Sequence, residues 1–172
     1  MDELINTVDE NDVITGEQLK SICHRDKILH RGASIFCFED NNLKRVLINK
    51  RSMNISVEPG ALCVPGGHLT IGESYIDGAE REFTEEMLGN NFTGKIKLEE
   101  LFKIKKFTDN DYGFETIFRT VYAGGFSPDP HEVESFYFED ISEVIKEIKN
   151  APEKFTETTI LLFNEYAKRY LK

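Results

Sequence analysis

The chain has 172 residues, 40% of them hydrophobic and 30% charged, with a formal net charge of −10 at pH 7. That length suits one well-buried domain and is short for two, and the composition is that of a soluble globular protein rather than a disordered or membrane-spanning one. So acidic a balance speaks against nucleic acid or an anionic membrane as the main partner, because both favour clustered Lys and Arg.

The first twelve residues, MDELINTVDEND, lack the basic and apolar regions of a signal peptide. Cys23, Cys37 and Cys63 are odd in number and form no CxxC pair, so neither a disulfide framework nor a structural zinc is expected. A cytoplasmic location follows as the expectation. Leu4 to Val8 and Val13 to Thr15 flank the turn-forming Asp9-Glu10-Asn11-Asp12, which predicts an N-terminal hairpin. Gly16 to His24 reads as a short helix. Ala33 to Phe38 and Val46 to Asn49 read as strands joined at Asn41-Asn42, and Lys50-Arg51 ends the second of them. Another strand runs through Leu62 to Val64 into the glycine turn Gly66-Gly67-His68.

From Gly67 to Gly89 the chain reads GHLTIGESYIDGAEREFTEEMLG. Ser74-x-x-Asp77 has the form of a capping box, which starts a helix near Tyr75. Ile76, Ala79, Phe83 and Met87 recur at helical spacing and predict its buried stripe. Glu82, Glu85 and Glu86 stand at i, i+3 and i+4, so they neighbour one another on the helix and repel. A hard divalent cation removes that penalty, since Mg²⁺ prefers carboxylate and carbonyl oxygens and keeps waters for a phosphate to replace. The plain alternative is a solvated acidic face.

Beyond this helix, Leu98 to Phe107 and Phe114 to Tyr122 are strand-like, broken at Asp109-Asn110-Asp111, and Ser135 to Phe138 is a further short strand. Asp140-x-x-Glu143 predicts a helix to about Ile148. From Thr156 onward, Ile160, Phe163, Ala167, Tyr170 and Leu171 mark one helical face, with Lys168, Arg169 and Lys172 at the negative end of its dipole.

The segment from Gly67 resembles the Nudix box, G-x5-E-x7-R-E-U-x-E-E-x-G-U with U a bulky aliphatic. Gly67 leads after five residues to Glu73, and seven more lead to Arg81-Glu82-Phe83-Thr84-Glu85-Glu86. Leu88 and Gly89 depart from the pattern, and the spacing predicts a helix one residue longer with Gly89 as its αL stop. The resemblance implies an α/β fold, an α/β/α sandwich on a mixed sheet, as a single domain over 1–172 with the N-terminal hairpin as an extension. It implies Mg²⁺, with Mn²⁺ as a substitute, held by the Gly67 carbonyl, Glu82, Glu85 and Glu86, and a structural pairing of Glu73 with Arg81. Catalytic candidates are Glu85, Glu82 and Glu132, with Glu115 and Glu134 behind them. Arg51, Lys50 and His68 are candidates for holding a small-molecule diphosphate, and a homodimer is compatible with the sequence.

His24 and His30 with Arg31 resemble the His…His-Arg pair of Nudix proteins related to isopentenyl diphosphate isomerase, and they are candidates to line the site. His131 reads as an ordinary loop residue. Phe107, Tyr112, Phe114 and Phe118 are candidates to stack a nucleobase, though at strand spacing core packing is the commoner role. Three functions follow as expectations: a Mg²⁺-dependent hydrolase of a nucleoside diphosphate joined to another group, an isomerase, or a catalytically silent binding domain. Against the isomerase, Gly66 stands where those enzymes place a cysteine, and Cys63 lies three residues earlier.

Overall fold

The computed structural model describes residues 2–89 and 91–171. Its centre is β3 (His30–Phe38), a strand with apolar residues on both faces, as a strand covered from both sides requires. Side chains alternate along it. Phe36 and Phe38 pack with α3 (Ile141–Asn150) and α4 (Glu157–Tyr170), while Ile35 and Cys37 pack on the other face with α2 (Tyr75–Phe83). Helices thus cover a mixed sheet on both sides. None of the described helices is long and apolar enough to cross a membrane.

β3 runs parallel to β8 (Tyr112–Val121) over its whole length, from His30 opposite Gly113 to Phe38 opposite Val121. Its other side is shared. The N-terminal half pairs antiparallel with β6 (Gly66–His68), and Phe38 alone meets β4 (Arg45–Arg51) at Val46. β4 continues the sheet to β9 (Val133–Asp140) and to β5 (Leu62–Cys63), and β7 (Glu99–Phe107) pairs with β8.

At the N-terminus, β1 (Leu4–Val8) and β2 (Ile14–Leu19) form the expected hairpin, and α1 (Lys20–Asp26) follows. Gly16 to Leu19, read as helix from the sequence, is strand because its backbone pairs with β1. The turn residue Asp12 pins the hairpin to the body: its carboxylate accepts from Arg31 Nε at 2.6 Å, Lys103 Nζ at 2.8 Å and Tyr75 Oη at 3.0 Å.

α2 starts where the capping box places it, with Ser74 accepting from the Asp77 N–H. Its end differs from the expectation. The extra residue is absorbed in a π turn over Thr84–Leu88, closed by the Gly89 N–H on the Thr84 carbonyl at 2.9 Å. Gly89 adopts φ 77° and ψ 161°, a region open essentially to glycine alone, rather than the αL stop. Widening the turn lets Met87 and Leu88 both reach the core beside Phe83. Ile76, by contrast, lies on the exposed side. α4 is rotated from its predicted face as well: Thr159, Leu162, Phe163 and Tyr166 are buried, and Tyr170 and Leu171 are exposed.

Candidate active site and metal centres

A cleft of about 560 Å³ opens beside the end of α2 and the π turn, a size in the range of small-molecule sites. Glu82, Glu85 and Glu86 line it, with Gly66, Gly67, His68, Arg51 and Glu132. Helix spacing brings the glutamates to one side, and burial then makes them different. Glu86 is 8% exposed and accepts from the Gly66 N–H at 3.0 Å. Burial pushes its carboxyl well above the ordinary range, and Glu82 and Glu132 add to the rise. Burial also raises Glu82, to about 7, against the pull of Arg81. The Glu85 side chain is 55% exposed.

Two glycines let the backbone come this close. A Cβ on Gly66 would strike the Ala33 carbonyl, and one on Gly67 would strike the Glu82 carboxylate. The loop carrying Glu132 is tied to the same end of the helix, since the Glu86 and Met87 carbonyls accept from the Asp129 and Ser127 N–H groups. The Ser52 N–H bonds the Glu132 carbonyl at 2.8 Å and brings the end of β4 alongside. Glu132 itself stands exposed at the rim, where partial desolvation and Asp129 raise its pKa.

Buried carboxylates without a cation give a pH dependence of known sign. The folded state keeps a proton on Glu82 up to about pH 7, whereas the unfolded chain releases it near 4.5. Its contribution to stability is therefore full below 4.5 and lost as pH rises through about 7. Melting temperature in EDTA should fall across that window, and a divalent ion should remove the fall. A flat profile without metal would contradict the assignment.

Arg81 organises the loop around these groups. Its Nε and Nη2 make a fork on Glu73 at 2.7 and 3.0 Å, Nη2 also donates to the His68 carbonyl at 2.9 Å, and Nη1 reaches Glu82 and Glu85, each at 3.0 Å. Glu73 accepts in addition from the Thr70 N–H at 2.8 Å. Glu73 and Arg81 thus face each other as the sequence pattern implies.

The inner end of the same cleft, past His68, is a pocket that the sequence only partly reveals. His24 from α1, His30 from β3, His68 and Asp111 converge, one ligand atom from each lying within 4.8 Å of the others. His24 Nδ1 donates to the Asn110 carbonyl at 2.5 Å and His30 Nδ1 to the Ile28 carbonyl at 2.8 Å. Both rings therefore turn Nε2 inward, the orientation typical of a metal ligand. His24 Nε2 is 3.0 Å from His68 Nε2. His30 Nε2 and Asp111 Oδ1 approach to 2.9 Å, yet off the hydrogen-bond direction, and both remain buried and unpartnered. Burial drives His68 down to about 3, with Asp111 opposing only in part.

The inner pocket also contains Lys106 and Glu115, each almost fully buried. Lys106 Nζ lies 2.5 Å from Asp111 Oδ2 and 2.6 Å from Glu115 Oε2, and Ser34 Oγ donates to Glu115 Oε1 at 2.5 Å. Burial opposes the ionised form of Asp111, but the Lys106 ammonium and the His30 and His68 contacts outweigh it and hold the carboxyl below the usual range. From the sequence Asp111 stands only in the break between two strands, and nothing singles out Lys106.

Other expectations fare differently. Arg51 lines the cleft and donates to the Val57 carbonyl at 3.1 and 3.3 Å. Lys50 does not: neighbours on a strand face opposite ways, and its ammonium pairs with Glu134 at 2.7 Å outside the cleft. Glu115 has both oxygens engaged, which removes it as a free base. Arg31 is held by Asp12, and His131 is exposed away from the site. Phe107, Tyr112, Phe114 and Phe118 do not line the cleft, and Phe118 belongs to the core. Cys63 does line it, but burial pushes its thiol up to about 12.

Residues 28–166 match the family model for the NUDIX domain. The chain is 30% identical over 163 residues to an isopentenyl-diphosphate Delta-isomerase of Serratia proteamaculans, covering 91% of this chain and 87% of that protein. It is 32% identical over 137 residues to an uncharacterised Nudix hydrolase of Streptomyces coelicolor, covering 77% and 71%. In three dimensions it resembles the crystal structure of DR0079 from Deinococcus radiodurans, with a TM-score of 0.78, 21% identity and coverage of 95% and 98%.

Proposed function

The chain belongs to the NUDIX family, and on that premise we propose that it is a hydrolase that uses Mg²⁺ to cleave a diphosphate linkage, first of all in a nucleoside diphosphate joined to another group. The observation that carries this reading is the pair of buried carboxylates, Glu82 and Glu86, which share the cleft with Glu85 and Glu132; the cations that act on them, Arg81 and Lys20 on Glu82 and Arg51 on Glu86, do not offset the burial that raises both. Such a donor set fits a hard divalent ion. Glu82, Glu85, Glu86 and the Gly67 carbonyl would hold it, and it would neutralise the diphosphate and polarise phosphorus.

The remaining work falls to the chain's own groups. Arg51 faces the cleft and suits a phosphate oxygen. Glu132, raised in pKa and without a side-chain partner among the described residues, is placed to take a proton from an attacking water. Glu85 is the second candidate, partly occupied by Arg81. The inner set of His24, His30, His68 and Asp111 offers a second centre, and its imidazoles suit a borderline-soft transition metal better than Mg²⁺.

Turnover of a panel of nucleotide sugars, dinucleoside polyphosphates and nucleoside triphosphates should vanish in EDTA and return with Mg²⁺ or Mn²⁺. Full turnover in metal-free buffer would sink the reading.

The isomerase-like alternative has in its favour the 30% identity to the Serratia enzyme over 91% of this chain. Against it, the only cysteine in the cleft is Cys63, a protonated thiol set on β5 rather than in the glycine turn. Cys63→Ala is expected to leave hydrolysis nearly unchanged, read as kcat. Conversion of isopentenyl diphosphate to its allylic isomer, abolished by that substitution, would reverse the order of the two readings.

A further inference from the structure

One position on β4 breaks the apolar pattern of the core. Side chains alternate along a strand, so Leu47, Asn49 and Arg51 share one face of β4, where Leu47 belongs to the core and Arg51 lines the cleft. Asn49 lies between them at the centre of the sheet, opposite Cys63 of β5 and Phe136 of β9, and is 1% exposed. Asn is a poor strand former, and a buried amide is costly unless its hydrogen bonds are made. Here only half of it is engaged. Nδ2 donates to Met87 Sδ at 3.1 Å, while Oδ1 is buried with no partner among the described residues. A leucine would fill similar space without that cost, so packing alone does not account for the amide.

Met87 belongs to the π turn and directly follows Glu86. Two strands hold that turn by its side chains: β6 through Gly66, whose N–H donates to Glu86 Oε2 at 3.0 Å, and β4 through Asn49. Core packing of Met87 and Leu88 makes the widened turn possible, but a thioether side chain is unbranched and adapts to many surroundings. A directed N–H donor selects one of them. The Glu86 and Met87 carbonyls in turn accept from Asp129 and Ser127, so the placement of the turn reaches the Glu132 loop as well. We propose that Asn49 is a positioning residue for Glu86: its amide fixes Met87 and thereby the π turn, which keeps the Glu86 carboxylate on the Gly66 N–H and facing the cleft. The consequence for catalysis rests on the hydrolase reading, whereas the consequence for the turn does not.

The test is amide hydrogen exchange, followed by NMR on the metal-free full chain and its Asn49→Leu variant, with kinetics in Mg²⁺ beside it. Gly66 and Gly89 report the turn, since their N–H groups are bonded to Glu86 Oε2 and to the Thr84 carbonyl. Both are expected to exchange ~3–10-fold faster in Asn49→Leu, the effect of losing one hydrogen bond, while Phe83 within α2 keeps the parent rate. The melting point should not fall, because the substitution removes a buried carbonyl that has no partner among the described residues. Turnover should drop ~10–10²-fold in kcat with KM near the parent value, as small misplacements of catalytic groups do. Met87→Leu should change exchange and kcat in the same way, and the double variant should be no worse than either single one. Unchanged exchange at Gly66 and Gly89 in a folded variant would overturn the proposal, as would fully additive effects or faster exchange spread evenly along α2. Should Asn49→Leu fail to fold, Met87→Leu decides by the same exchange and kcat readings. Parent kcat despite faster exchange would overturn the role in catalysis. The expected exchange pattern in a chain whose parent has no turnover would leave the proposal standing and remove the hydrolase reading.

Discussion

Replacing Glu82, Glu85 or Glu86 by Gln, one at a time, is expected to lower turnover by at least ~10²-fold, mostly through kcat. Each substitution keeps side-chain size and helix propensity, and each removes a charge from the wall of the cleft. A lost general base alone is worth ~10²–10⁴ in rate, and a lost metal ligand removes several kcal/mol of charge stabilisation in the transition state. The variants should separate in stability. Glu86→Gln and Glu82→Gln relieve carboxylates that burial disfavours and should melt higher than the parent in EDTA, while the exposed Glu85 should change little. Steady-state kinetics and metal-free melting curves read both effects. If all three variants turn over like the parent while folded, the glutamates hold no catalytic metal and the hydrolase reading fails. If the parent itself has no turnover on any substrate yet binds nucleotide, the silent binding domain is the better description.

Arg81→Leu should give the largest loss of stability in the motif. The guanidinium holds Glu73, Glu82, Glu85 and the His68 carbonyl at 2.7–3.0 Å, and its side chain is 24% exposed. Removing one partner of a mostly buried pair leaves the other charge uncompensated, at a cost of about 3 kcal/mol. For a chain of this size that corresponds to a melting point lower by roughly 6–12 °C. Arg81→Lys should not restore it, because an ammonium cannot make the fork on Glu73. Glu73→Gln should act in the same direction and more weakly, since it keeps an acceptor for the Thr70 N–H. Differential scanning calorimetry decides, and an unchanged melting point in Arg81→Leu would show that the loop is held by its backbone alone.

Much of this site was legible because it is local. The Ser74 cap and the glutamates at i, i+3 and i+4 lie on or beside one helix, where spacing and helical geometry suffice, and the Glu73–Arg81 pair is what the resemblance to the Nudix box implies. The caps and strand-like runs placed most of the elements, and the α/β/α sandwich on a mixed sheet is what the resemblance implies. The π turn at Thr84–Leu88 was not legible, because two packing demands, Met87 and Leu88 both against the core, decide it rather than propensity. The buried faces of α2 and α4 shifted likewise, since the neighbours that cover Thr159 and leave Ile76 in water come from other elements.

The sequence offered His24, His30, His68 and Glu115 as candidates, but their meeting in the inner pocket belongs to the tertiary structure. His24, His30, His68, Lys106, Asp111 and Glu115 span more than ninety positions, and only the parallel pairing of β3 with β8, together with β6 on its other side, brings them within reach of one another. No periodicity links such residues, so the sequence shows Asp111 only in the break between two strands and does not single out Lys106. Lys50 and Arg51 show the same limit on the smallest scale: adjacent cations look alike in sequence, and the direction in which β4 presents each side chain sends one into the cleft and the other to Glu134. What the chain carries by itself is the chemistry of one helix. Which carboxylates are buried, which are locked by a lysine and which remain open to a ligand is decided by the strands that pack around it.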